Sequence, residues 1–125
     1  MIFDHIGFHV TDFGKTKDFL TKALAPLGIT ITITGEGQGW AMIGRKDEGR
    51  LWFGSSGSSP GPIHVAFAAK SREEVRRFYE AAIAAGGKDN GAPGLREHYH
   101  PNYYGAFVIG PDGHNFEAVC HLPEA

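Results

Sequence analysis

The feature that most limits how this chain can fold is an internal repeat. His5 and His64 stand 59 positions apart (64 minus 5), and the same shift carries Ile6 onto Val65, Phe8 onto Phe67 and Phe19 onto Phe78. It also carries Ala23 onto Ala82, Leu24 onto Ile83 and Gly28 onto Gly87. Each half opens with a run of alternating character. Ile6, Phe8 and Val10 share one face, with His5, Gly7 and His9 on the other; in the second half Val65 and Phe67 oppose His64. A helical spacing follows in each: Phe19, Leu20, Ala23, Leu24 and Leu27 in the first, Val75, Phe78, Tyr79, Ala82 and Ile83 in the second. Thr11 or Asp12 is suited to cap the first helix and Gly28 to end it; Ser71 with Glu74 forms a capping box for the second, which Gly86 and Gly87 close. Self-similarity at a fixed period means one supersecondary unit used twice. The expectation is an α+β fold of two βαβββ modules curled into a mixed sheet around a concave site. One domain would span 1–125, with module 1–57 and module 62–121 joined by the Gly/Ser/Pro-rich stretch 54–62.

Within the modules, Ile29–Thr34 is β-branched at every position and predicts a strand. Trp40–Ile43 and Leu51–Phe53 predict two more, joined by a turn at Asp47-Glu48-Gly49. Residues 88–102 read as a loop. The last stretch, Tyr103–His121, reads as a hairpin about Pro111-Asp112-Gly113, where Pro111 presets φ and Gly113 tolerates a positive one. On its second strand Phe116, Ala118 and Cys120 point one way, and Glu117, Val119 and His121 the other. A carboxylate in the middle of a half-buried strand is costly unless a cation or a hydrogen-bond donor meets it.

Composition excludes several classes. The formal net charge is −2 over 125 residues, so no basic field invites nucleic acid or an anionic membrane. No apolar run approaches the roughly 20 residues of a spanning helix, and the first residues lack the pattern of a signal peptide. One cysteine excludes an internal disulfide, and Cys120 is expected to be a reduced core thiol in a cytoplasmic protein. The 7 histidines are what the composition adds, because the repeat places two of them at matching positions. If each first strand turns its apolar face to a helix, His5 and His64 line the concave side, and Glu117 faces the same way. Two imidazoles and one carboxylate make a facial-triad type of metal site with open positions for substrate.

The segments around these residues, DHIGFHVTD, IHVAFAA and PDGHNFEAV, resemble the three metal-ligand segments of the vicinal oxygen chelate superfamily. That group includes glyoxalase I, bleomycin-resistance proteins, fosfomycin-resistance transferases and extradiol dioxygenases. The resemblance covers essentially the whole chain. It implies a divalent ion (Zn, Ni, Mn or Fe) held by His5, His64 and Glu117, a small-molecule substrate with adjacent oxygens, and a homodimer whose sites are often built from both subunits. It implies a lyase, isomerase or dioxygenase, with a non-enzymatic binder of aromatic molecules, of the bleomycin-resistance type, as the alternative. Glyoxalase I usually supplies a fourth ligand from the last strand of its first module. Aligning Glu48-Gly49 on Asp112-Gly113 puts that position at Phe53, with Trp52 the other choice, and no carboxylate occurs from residue 49 to 72.

The remaining candidates surround this centre. Glu117, His100 and Tyr104 are expected to move protons. His9, Trp52, Phe53, Arg96, Tyr103 and His121 are expected to contact substrate, several of them from the Arg96–Tyr104 segment as a lid. His114, one residue past the turn, is expected to be exposed.

Overall fold

Alternation in the opening run makes a strand. In the computed structural model, which describes residues 5–35, 37–45, 48–55 and 62–123 (backbone alone at 48–50), that strand is β1 (Ile6–His9). Asp12 ends it and starts α1 (Phe13–Leu24), its carboxylate accepting from the Lys15 N–H at 3.0 Å. A 3-10 turn (Ala25–Leu27) stops at Gly28 and leads into β2 (Thr30–Gly35), β3 (Trp40–Arg45) and β4 (Glu48–Gly54). Glu48 and Gly49 therefore belong to a strand rather than a turn; Asp47 lies outside the described residues, as do 56–61 of the expected linker.

The second unit repeats the order: β5 (His64–Ala68), α2 (Arg72–Ala84), β6 (Lys88–Leu95), β7 (Tyr104–Ile109) and β8 (Asn115–Cys120). At the start of α2 the Ser71 hydroxyl accepts from Glu74 N–H at 3.1 Å, and the Glu74 carboxylate reaches back to Lys70 N–H at 2.8 Å. The capping box thus closes one residue earlier than its standard form. Two expectations change here. Residues 88–95 are a strand, not a loop: β6 is an edge, where Pro93 has no ladder bond to lose, and its pairing with β7 shifts register around Gly91. Ile83, expected inward, is 36% exposed, since α2 buries the narrower stripe Val75, Phe78 and Ala82.

The strand orders are β1-β4-β3-β2 and β5-β8-β7-β6, with β1–β4 and β5–β8 parallel and the other pairs antiparallel. Residues paired across a sheet share a face, so the ladder sorts the side chains into rows. The row Phe8–Phe53–Ala41 and the row Phe67–Ala118–Ala106 turn toward the helices. They join Phe19, Leu20, Val75, Phe78 and Phe116 in one core common to both units. The row Gly7–Trp52–Met42 and the row Ala66–Glu117–Phe107 therefore turn away from it.

The β7–β8 turn pins the units together. Asp112 takes a positive φ of 63°, and its carboxylate accepts from both Thr11 N–H (2.9 Å) and Thr11 hydroxyl (2.6 Å) across the unit boundary. Burial raises the pKa of this carboxyl, but the two Thr11 bonds outweigh it, with His114 and Lys15 adding to a net lowering. A lowered folded-state pKa contributes stability that is present above the ordinary carboxylate value and lost as pH falls through the depressed one. Asp112→Asn keeps a residue that tolerates positive φ and removes the charge. Its urea midpoint is expected below that of the native chain near neutrality, with the gap closing below about pH 4. A gap constant across that range would refute the charge argument.

Candidate active site

Glu117 stands mid-strand on β8 with 1% of its side chain exposed, and both of its oxygens are engaged. Oε1 lies 3.0 Å from Nε2 of the half-exposed His64. Oε2 accepts from the hydroxyl of Tyr103, which precedes β7 and shares the face of Gly105 and Phe107. Gly105 leaves room for this contact: a Cβ there would lie 3.1 Å from Tyr103 Cε1 and 3.2 Å from Glu117 Oε2, crowding both. Burial, the bond to Glu117 and the charge of Glu117 push the Tyr103 hydroxyl well above the ordinary phenol pKa, so it is the donor.

The other ring nitrogen of His64 decides what Nε2 can do. Nδ1 is 3.2 Å from the Asn115 carbonyl oxygen, which only accepts, so Nδ1 carries a hydrogen. Nε2 is left facing a carboxylate oxygen. A proton on Nε2 satisfies that pair, and so does a divalent cation. Two donors at right angles on a cation with bonds of about 2.1 Å stand about 3.0 Å apart. Giving the second ring N–H to a carbonyl is also the usual support of a metal-binding histidine. The donors present fit a divalent ion.

The third expected ligand is elsewhere in the chain. His5 precedes β1 and borders a hollow with Gly7, Met42 and Trp52. Among the described residues of one chain, no group of three or more His, Cys, Asp or Glu is placed to hold a metal. One chain brings His64 and Glu117 together and does not bring His5 to them.

The ladder also answers the fourth-ligand question. Ala66 is Gly7 shifted by 59 (66 minus 7), and Ala66 pairs with Glu117 as Gly7 pairs with Trp52. Trp52, not Phe53, is the counterpart of Glu117. Its indole lies close over Gly7, where a Cβ would come within 3.1 Å of the ring, and His9 meets it edge-on at 5.4 Å. His9 Nδ1 is buried there without a hydrogen-bond partner. Phe53 is fully buried between Phe8 (6.0 Å) and Phe13 (5.6 Å), so its expected substrate contact gives way to core packing.

Around Glu117 the 96–103 segment is held down by Arg96. Its guanidinium donates to the Gly94, Gly105 and Ala92 carbonyls (2.7, 3.1 and 2.8 Å) and lies 5.3 Å over the Phe107 ring. Arg96 is thereby a brace for the segment as well as a neighbour of the site. His121 meets Tyr103 edge-on at 5.3 Å and His100 edge-on at 5.3 Å, so His121 adjoins the Tyr103 ring and His100 stands behind it. Tyr104 is on the opposite face, under Arg72 and Arg76, and accepts from Arg76 Nη1 at 3.2 Å. Of the two tyrosines it is Tyr103 that reaches Glu117. Adjacent strand residues face opposite ways, which separates them. His114, expected exposed, is fully buried against Phe8 (4.8 Å). Gly105 and the Asn115 carbonyl were not legible as site elements; strand parity with Glu117 was the available signal for Gly105.

Paired βαβββ units carrying a His–Glu pair on the outer face of the second define a glyoxalase-like protein. The family model of the Glyoxalase/Bleomycin resistance protein/Dioxygenase superfamily matches residues 2–118, and the chain belongs to that superfamily. Among solved structures it is similar to a glyoxalase/bleomycin resistance protein from Albidiferax ferrireducens T118. The TM-score is 0.80 and the identity 26%, over 98% of this chain and 100% of that one. A glyoxalase/bleomycin resistance protein/dioxygenase family enzyme from Burkholderia phytofirmans PsJN shares the fold at TM-score 0.73 and 17% identity, covering 96% and 99% of the two chains. So does the E144Q glyoxalase I mutant from Zea mays, at TM-score 0.67 and 22% identity, over 94% of this chain and 46% of that one. No curated protein sequence matches the chain. No helix among the described residues is long and apolar enough to cross a membrane.

Proposed function

We propose that this protein is a divalent-metal-dependent enzyme of the vicinal oxygen chelate type, a lyase, isomerase or dioxygenase acting on a small cytoplasmic substrate with adjacent oxygens. The observation that carries this reading is the His64 Nε2–Glu117 Oε1 pair at 3.0 Å, with Nδ1 already committed to Asn115. His64, Glu117 and His5 would hold the ion. Since one chain leaves His5 on the other sheet, His5 would come from a second copy in a homodimer. The ion supplies Lewis acidity toward adjacent substrate oxygens. The chain's own residues orient the substrate and exclude water: Trp52, Met42 and His9 form an aromatic and thioether wall, and Tyr103, His121 and His100 line the Glu117 side.

The test is thermal unfolding with Mn2+, Zn2+, Ni2+ or Fe2+. Saturation at about 100 times Kd adds about 2.7 kcal/mol, a rise in Tm of roughly 10 °C for a chain of this size. His64→Ala and Glu117→Gln are expected to lose the shift, and His5→Ala likewise. Mixing His5→Ala with Glu117→Gln and letting subunits exchange would rebuild one intact site per mixed dimer and return part of the shift. If no cation shifts the native protein, the reading fails. A second reading, an aromatic-binding protein without catalysis, is favoured by Trp52 standing at the counterpart position of Glu117. It predicts an aromatic ligand whose affinity is indifferent to His64→Ala.

A further inference from the structure

Glu117 offers its two oxygens unequally, and the chain has built that inequality in. Oε1 is beside His64 Nε2, open toward a half-exposed ring, while Oε2 is taken by the Tyr103 hydroxyl. The arrangement needs three things at once. Tyr103 must fall on the outer face, as its position two residues before Gly105 ensures. Residue 105 must leave room, because a Cβ there would press on both the tyrosine ring and Oε2, each of which would have to give by a few tenths of an ångström. And the tyrosine must be held in place, which the rings of Tyr99 (5.1 Å) and His121 (5.3 Å) do from its edges, while Arg96 ties the segment to the Gly105 carbonyl at 3.1 Å.

We propose that Tyr103 is a positioning residue that reserves Glu117 Oε2 for itself, so that the carboxylate meets a metal ion through Oε1 alone. This rests on the metal-dependent reading above and deepens it. A free carboxylate can bind a cation through one oxygen or both, and flexible sites for larger ions use both. With Oε2 occupied by a donor, the second mode is closed. The bond also fixes the plane of the carboxylate, so that Oε1 stays at donor spacing from His64 Nε2.

Tyr103→Phe removes one oxygen atom and leaves the ring packing. Tyr104→Phe is the matched control, since that hydroxyl lies on the opposite face against Arg76. Calorimetric titration of Mn2+ and Zn2+ into the purified full-length chain is expected to show Kd raised about 10- to 100-fold in Tyr103→Phe and unchanged in Tyr104→Phe. Infrared difference spectra between metal-loaded and chelator-treated protein read the carboxylate directly. The native protein is expected to show the widely split stretching pair of one-oxygen coordination, absent in Glu117→Gln. Tyr103→Phe is expected to show the narrower split of two-oxygen chelation. A native protein that binds metal, with Tyr103→Phe matching it in both affinity and infrared signature, overturns the role of Tyr103 while leaving the metal reading intact. A native protein that binds neither cation overturns both.

Discussion

Phe116→Ala is expected to lower the free energy of unfolding by about 3–5 kcal/mol, seen as a fall in the urea midpoint at unchanged slope. Phe116 is fully buried and holds rings from several elements apart: Phe8 of β1 at 5.9 Å, Phe19 of α1 at 5.9 Å, Phe67 of β5 at 6.4 Å and His114 at 6.2 Å. These neighbours belong to both βαβββ units, so the cavity left by alanine would be walled by elements that cannot close on it independently. Whole domains are stable by about 5–15 kcal/mol, so the loss is a large share of the total. Phe67→Ala, at a half-buried position on the edge strand β5, is the graded comparison and should cost less. A cost below about 1 kcal/mol for Phe116→Ala would mean that the two units do not share a core.

How far the sequence carried is clearest at Glu117. Its place in the alternation, among Phe116 and Ala118, was enough to put it on the face away from the helices and to demand a partner there. His64 followed from the repeat. What alternation cannot decide is the origin of the count where turn-like residues sit inside a strand. Taking Glu48-Gly49 as a turn puts the counterpart of Glu117 at Phe53, with Trp52 the other choice. In the structure Glu48 and Gly49 already pair with Arg45 and Gly44 in the β3–β4 ladder, and the ladder moves the position to Trp52. A one-residue error in a strand exchanges a core phenylalanine for an outward-facing indole. The same parity separates Tyr103 from Tyr104 at the start of β7. Strand β6 was hidden for a different reason. Pro93 and three glycines between 87 and 94 look like loop chemistry, and an edge strand with register shifts is where a sheet accepts them. Within one chain His5 stays apart from His64 and Glu117, since it precedes β1 in the first sheet while they stand on β5 and β8 in the second; alternation fixes the face of a strand and not which faces meet.

His114→Ala is expected to cost about 3–5 kcal/mol, a cavity beside Phe8 added to about 1–3 kcal/mol for the two part-buried polar groups together left without a partner. The imidazole is fully buried and works in both directions. Its Nδ1 accepts from the Ile63 N–H at 3.0 Å, so the ring hydrogen is on Nε2, which lies 3.3 Å from the His9 carbonyl oxygen and donates to it. Ile63 is the residue before His64, and His9 ends β1, so one ring ties the start of β5 in the second unit to the end of β1, beside Trp52, in the first. His114→Phe fills much of the same space with no hydrogen bond and separates the two contributions. It is expected to recover the packing and still fall short of the native chain by about 1–3 kcal/mol, because Ile63 N–H and His9 C=O remain stranded. Urea unfolding of the three proteins measures both steps. Should His114→Phe equal the native chain in stability, the two hydrogen bonds would contribute nothing, and the tie between the units would be one of shape alone.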